Sequence, residues 1–341
     1  MNIRNVFVVT VTYGNRFNLL KQVIDSALSE GVKKVIVIDN NSVFESRENL
    51  KKYENRLGNN KLKVIYLDDN YGSAAGFKRG IIEAYNDPEC DFIWLLDDDN
   101  KPLKDSLINL LKFWDTVNIE NKNYNIALLS YRFKKSRHVK DAALLKKPEL
   151  VLGLKNSFNG FHIKELHIKI VRYFKRLIYG KFNYKKQENI CSFGVIPVAP
   201  YGGLFINKNI ITHIGLPNED YFVYADDHDW TYRITKSKGT IYLVIDSKID
   251  DIDLSWNVPK EINENVFTII SKGSSFRVYY SIRNRVYFER KYLVNNKCIY
   301  IINILSFLII AKILNINNYK LIIKAIKDGY NSRLGKVELN Q

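Results

Sequence analysis

Four short apolar runs constrain this chain more than any other feature: VFVVTVTY (6–13), KVIVID (34–39), KVIYLD (63–68) and FIWLLD (92–97). They are rich in β-branched residues, and the last three end on an aspartate. Stretches with helical spacing lie between them, NLLKQVIDSALSEG (18–31), closed by Gly31, and AAGFKRGIIEAYND (74–87). A strand buried on both faces reads as continuously apolar rather than alternating. This order therefore predicts an α/β fold, a mostly parallel sheet with helices on both faces. In such sheets ligands bind beyond the carboxyl ends of the strands. Polar residues cluster at those ends: Asp39-Asn40-Asn41-Ser42, Asp68-Asp69-Asn70 and Asp97-Asp98-Asp99. Three acidic or amide clusters are expected to converge on one edge.

Charge and cysteines narrow the setting. The 341 residues carry a net charge of +16. Between Tyr131 and Ile190 there are 16 Lys and Arg against 4 Asp and Glu, so +12 sits in one segment. Localised positive charge points to phosphate-bearing substrates, an anionic membrane or nucleic acid, or to a solvated insertion. Cys90, Cys191 and Cys298 lie far apart, which argues against a disulfide framework or a zinc ribbon and fits a reducing cytoplasm. The N-terminus shows no signal-peptide pattern.

Adjacent carboxylates at Asp97, Asp98 and Asp99 repel one another unless a cation neutralises them. Mg²⁺ and Mn²⁺ take oxygen ligands, commonly one or two carboxylates plus substrate phosphates. The plain alternative is an acidic helix start, since DDDNKPLKDSLINLL enters a helix. A second cluster, YADDHDW (224–230), either caps a helix or supplies a general base. A third holds Asp250, Asp251 and Asp253, of which the last two are expected in a solvated loop.

The ordered segments TVTYGNR, DNNS, DDNYGSAAGFKRG, WLLDDDN, APYGGLFI, EDYFVYADDHDWTYR and YYSIRNR resemble the family 2 inverting glycosyltransferases of GT-A (Rossmann-like) fold. The likeness runs over roughly residues 4–290 and looks closest to bacterial galactofuranosyl- and rhamnosyltransferases of surface polysaccharides. It implies that Thr10, Thr12, Tyr13 and Arg16 cradle the nucleotide, with Asp39 on the nucleoside. Asn70, Gly76 and Arg79 would lie near the ribose and diphosphate, where glycines let backbone approach phosphate. Asp97 and Asp98 would lie on the nucleotide-sugar side, and Asp97 and Asp99 on the metal. Asp227 matches the catalytic base, with Gly202, Gly203, Asp226, His228 and Trp230 on the sugar side. Where the family often has a metal-binding His after the last core strand, Asp250 stands here.

The resemblance implies a GT-A domain over 1–290, divided into a nucleotide-sugar half (1–130), a basic insertion (131–190) and an acceptor half (191–290). A helical C-terminal region (291–341) follows. It further implies a nucleoside-diphosphate sugar donor, UDP-linked by preference, carrying galactofuranose or else rhamnose. Mn²⁺ or Mg²⁺ would be the cofactor. The acceptor would be a glycan or polyprenyl-diphosphate-linked glycan at the inner face of the plasma membrane. FHIKELHIKIVRYFKRLIYGKF (161–182) reads as a basic amphipathic helix. CIYIINILSFLIIAKIL (298–314) is at the short limit for a span, so interfacial docking or packing on the domain is expected. A sugar nucleotidyltransferase shares the chemistry but needs a glycine-rich first loop that VTYGNRFNLLK lacks. A basic nucleic-acid-binding or scaffold protein explains the charge but not the acidic clusters.

Overall fold

A computed structural model of the chain describes residues 4–165, 191–253 and 266–339. The chain forms two compact units, Met1–Val151 with Ser192–Val258, and Leu152–Cys191 with Pro259–Gln341. The boundary expected at residue 290 falls within the second unit, and the basic segment 131–190 is shared between the two.

The first unit is built on nine strands: β1 (Val6–Thr12), β2 (Lys34–Asp39), β3 (Leu62–Tyr66), β4 (Phe92–Leu95), β5 (Asn100–Pro102), β6 (Ile126–Arg132), β7 (Phe193–Ile196), β8 (Leu204–Asn207) and β9 (Thr240–Asp251). They form one sheet in the order β3-β2-β1-β4-β8-β6-β9-β5, with β7 also on β9. The pairs β3-β2, β2-β1, β1-β4 and β6-β9 are parallel. β8 runs antiparallel between β4 and β6, and β5 and β7 run antiparallel to β9. The mostly parallel α/β sheet is as expected.

Alternation explains the continuous apolar runs. Val6 and Val8 face one side, where they join Leu20, Val23, Ile24 and Ala27 of the helix Phe17–Ser29. Phe7, Val9 and Val11 face the other side and join Phe77, Ile81 and Ala84 of the helix Gly72–Asn86. That second helix lies very close to β1. A Cβ on Gly76 would stand 2.7 Å from Val11 Cγ1, and one on Gly80 2.4 Å from Val9 Cγ1. The glycines permit helix–strand contact.

Two elements go beyond the sequence reading. The helix Phe44–Leu57 buries only Ser46, Leu50 and Tyr53, so its apolar pattern is weak. β6 begins at Ile126, and its end lies inside the basic segment, where charge masks the strand pattern.

The second unit contains the helices Val266–Lys272, Ser275–Tyr292, Lys297–Ile313 and Tyr319–Tyr330. Ser274 caps the second by accepting from Arg277 N, and Asn296 caps the third by accepting from Ile299 N. Gly329 lets Tyr319–Tyr330 approach Ser275–Tyr292, since a Cβ there would stand 2.2 Å from Arg283 O. Glu289 is fully buried and satisfied by Arg285, by the Tyr300 hydroxyl at 3.0 Å and by Asn159 N at 3.0 Å. Most of the basic helix expected over 161–182 lies outside the described residues. Among the described residues, no helix is long and apolar enough to cross a membrane.

Candidate active site

Strand order reverses between β1 and β4, since β2 and β3 lie to one side of β1 and β4 to the other. A crevice at the carboxyl ends of those two strands is the standard ligand position in an open parallel sheet. Thr12 ends β1 and Tyr13 to Arg16 follow it, while Asp97, Asp98 and Asp99 follow β4.

Cations hold these carboxylates. Arg16 donates from Nε to Asp98 Oδ2 at 2.8 Å and from Nη2 to Asp98 Oδ1 at 2.8 Å, a two-pronged pairing. Its Nη1 donates to Asp253 Oδ2 at 2.6 Å, and Thr12 Oγ1 donates to Asp98 at 2.9 Å. Burial works against the Arg16 charge, but Asp98 and Asp253 outweigh it and raise its pKa. Burial pushes the Asp98 carboxyl up, with Arg16 opposing. Tyr13 is partly exposed, with the Arg16 guanidinium 5.5 Å from its ring centroid.

Arg132, at the end of β6, stands 3.4 Å from Asp97 and also binds Asp251, whose Oδ1 accepts from Nε at 2.9 Å. Lys135 lies 3.6 Å from Asp99 and 3.5 Å from Asp251. Buried Asn100 donates to Asp99 and to Asp251, both at 3.0 Å. The Asp97 side chain keeps 37% of its surface open, the rest lying within the protein. Burial raises its pKa to about 7; Arg132 pulls it down, and Asp99, Asp98 and Asp251 add to the rise. Gly202 closes over this group. A Cβ there would stand 2.0 Å from Asn100 Oδ1 and 2.6 Å from Asp97 Oδ2. Gly203 takes φ +100° and donates to Leu95 O at 2.8 Å, tying the Gly-Gly turn to β4.

The third acidic cluster corrects the sequence reading. Asp251 and Asp253 are not solvated: Asp251 is fully buried, and Asp253 pairs with Arg16. Asp250, expected on the metal, pairs instead with Lys134. Successive residues of β9 point to opposite faces, so if Asp251 faces the cluster its neighbour cannot. Arg132, Lys135, Asn100, Asp251 and Asp253 were not singled out as site residues. The two cations were hidden in a segment where basic residues are everywhere.

On the β2 side, Asp39 is buried and paired with Arg47 at 2.6 Å, and its Oδ1 accepts from Ser42 N. Thr10 is buried within β1 and its hydroxyl meets no partner. Asn70 Oδ1 accepts from Gly72 N and from Asn40 Nδ2, both at 2.9 Å, so it shapes the turn into Gly72–Asn86. Gly76 packs against Val11 in the core. Arg79 lies over the Tyr71 ring at 4.5 Å, and its buried Nη1 has no hydrogen-bond partner.

The ADDHDW cluster opens the helix Asp226–Lys236. Asp226 is buried, and burial together with the Asp227 charge pushes its carboxyl well up. Tyr201 faces it, its own pKa raised by burial and then by Asp226 and Asp227. Asp227 is half-buried, and its Oδ1 accepts from His228 N at 2.7 Å. His228 is half-buried as well. Asp229 is fully buried on Arg233 and the Tyr221 hydroxyl. Trp230 is also core, donating from Nε1 to Gly215 O at 2.8 Å.

The loop before this helix is strained. Phe222, Tyr224 and Ala225 all have positive φ. Phe222, at φ +67° and ψ −60°, makes the rare left-handed γ-turn, closed by Val223 N to Tyr221 O at 2.8 Å. Its carbonyl accepts from Ala74 N at 3.2 Å, and a Cβ on Gly72 would lie 2.1 Å from it. The segment leading to Asp227 is thereby pinned to the start of Gly72–Asn86.

Carboxylates and the cations paired with them thus meet at the switch point of an open α/β sheet, and comparison with solved structures gives this fold as GT-A. One similar structure is titled GalNAc-T7 with UDP, GalNAc and Mn²⁺: TM-score 0.54, 12% identity, over 85% of this chain and 48% of that one. Another is the mannosyltransferase PcManGT from Pyrobaculum calidifontis with GDP-Man and Mn²⁺: TM-score 0.50, 15% identity, over 85% of this chain and 64% of that one. The chain thus spans about half the length of the first and under two thirds of the second. No curated protein matches the chain in sequence. Residues 7–162, a little under half of the chain, match the family model described as glycosyl transferase family 2.

Proposed function

We propose that this protein is an inverting glycosyltransferase that moves a sugar from a nucleoside-diphosphate donor to a hydroxyl of a glycan or lipid-linked glycan. The observation that carries the reading is the joining of Asp97, Asp98, Asp99 and Asp251 with Arg16, Arg132 and Lys135 at the strand-order reversal. Arg79, with an unpartnered buried Nη1, supplies a further cation suited to a diphosphate. Thr10, Thr12, Tyr13 and Asp39 line the nucleotide side of the reading, and Gly202 and Gly203 the sugar side.

Among the described residues, no group of three His, Cys, Asp or Glu already converges on a metal position. The donor set nonetheless fits a hard cation: all the side chains are carboxylates, and buried Asp251 Oδ2 has no hydrogen-bond partner. Asp97, Asp99 and Asp251 would hold Mn²⁺ or Mg²⁺, with Asp251 in the place first given to Asp250. The ion would offset charge on the departing diphosphate. Asp227, half-buried, takes the proton of the acceptor hydroxyl as the new bond forms, and the anomeric centre inverts. Beside it, burial and the Asp227 charge push the Asp226 carboxyl well up. The donor is a UDP-sugar by preference, galactofuranose before rhamnose, in surface-polysaccharide synthesis at the inner face of the membrane.

A thermal-shift series with UDP, dTDP and GDP, each with and without Mn²⁺ or Mg²⁺, tests this. Ligand at about 100 times its dissociation constant adds about 2.7 kcal/mol of stability. Metal-dependent stabilisation by UDP is expected; a preference for dTDP redirects the donor to rhamnose. A folded protein indifferent to every nucleotide defeats the proposal.

A further inference from the structure

The helix Lys297–Ile313 has two unlike faces. Tyr300, Asn303, Ile304, Phe307 and Ala311 are buried. On another face Ile301, Leu305, Ile309 and Ile313, four residues apart, are 41%, 54%, 61% and 76% exposed. Four large aliphatic side chains in a row on a helix surface form a continuous stripe rather than scattered exposure. Leu314 extends it past the helix end, and Ile323 is exposed on the following helix.

Charge selects what covers the stripe. From Arg290 to Lys327 there are seven Lys and Arg and no Asp or Glu. Lys312, Lys320, Lys324 and Lys327 are exposed. A second copy of the chain docked on the same stripe about a two-fold axis would set these lysines against their own counterparts. An anionic lipid surface accepts both features, with the apolar side chains among the acyl chains and the lysines at the headgroups. Seventeen residues are too few for a comfortable span, which favours a helix lying in the interface plane.

We propose that the Ile301–Ile313 face of this helix docks on the headgroup region of an anionic bilayer, with the lysines that follow as its electrostatic partner. This deepens the membrane placement of the proposed function and stands on the exposed stripe and the exposed lysines, independently of the transfer reaction.

Co-sedimentation of the full chain with phosphatidylcholine vesicles, with and without phosphatidylglycerol, tests it without nucleotide. The protein is expected to bind the anionic vesicles, and to release them as salt is added. Placing charge in the stripe, Leu305→Glu with Ile309→Glu, should weaken binding by about tenfold or more at an unchanged melting temperature. Lys320→Gln and Lys324→Gln should each weaken it by about fivefold. Failure of the wild type to bind, or binding unaltered in both sets of variants, overturns the proposal. A fall in melting temperature in the Glu variants overturns it in favour of cover by the chain itself. A dimer that those variants dissociate overturns it in favour of a second copy. Nucleotide stabilisation is read separately, so either proposal can fail alone.

Discussion

The two aspartate clusters of the first unit are nearly the same in sequence and opposite in electrostatics. Asp97, Asp98 and Asp99 end a buried strand among Arg16, Arg132 and Lys135, so the protein supplies cations for them. Asp226 and Asp227 open a helix, and Arg233 of the same helix pairs with Asp229. The first arrangement keeps several carboxylates together, as the proposed binding of a diphosphate and its ion requires. In the second, burial and the neighbouring Asp227 charge push the Asp226 carboxyl well up. Neighbouring charge, more than residue type, decides what an aspartate does.

Asp227→Asn breaks the second cluster and has the largest expected effect. Loss of a general base lowers kcat by about 10²–10⁴-fold. Nucleotide binding, read by thermal shift, should hardly change, because the first cluster is intact. A fully active Asn variant removes Asp227 from the mechanism.

Arg16→Ala breaks the first cluster. It leaves buried Asp98 without its two-pronged partner, and removing one member of a buried ion pair costs about 3–5 kcal/mol. Chemical denaturation reads the loss, and Asp98→Asn in the same chain should recover part of it. If Arg16→Ala is no less stable than the wild type, the pair is not holding the site together.

The smallest effect is one of pH, and it sharpens the contrast. Asp97 is raised from 3.8 to about 7 by burial, with its acidic neighbours adding. Below its ordinary value both folded and unfolded chains are protonated there, and nothing is lost. Between that value and about 7 the folded protein keeps a proton the unfolded chain releases, so stability falls as pH rises. Above it the loss is complete. Metal-free melting temperature should therefore decline from acidic pH to pH 8, and Asp97→Asn should flatten the decline. Asp98 and Asp226 are raised as well and keep part of the slope. A slope identical in the Asn variant shows that Asp97 does not hold the proton.

Much of this was legible in the residues. The runs at 6–13, 34–39 and 92–97 are strands because β-branched apolar residues suit a sheet covered on both faces, and they gave the parallel order and the site edge. Asp97 to Asp99 stood out because a buried strand rarely ends in three charges. Other residues, assigned from the resemblance, have surroundings that no sequence pattern shows. Gly76 looked like a phosphate glycine but is required by Val11. Trp230 looked like a sugar platform but fills the core. Asp250 and Asp251 differ by one position, and only strand register decides which faces the cluster.

The sequence by itself determined the class of fold and the edge of the sheet where chemistry belongs, because hydrophobic periodicity and chain order are local properties. Tertiary structure alone decided which charges meet. Arg16 and Asp253 are 237 positions apart, and Arg132 and Asp251 are 119. Pairing at such separations depends on the order in which strands are laid side by side, which no stretch of the chain carries within itself.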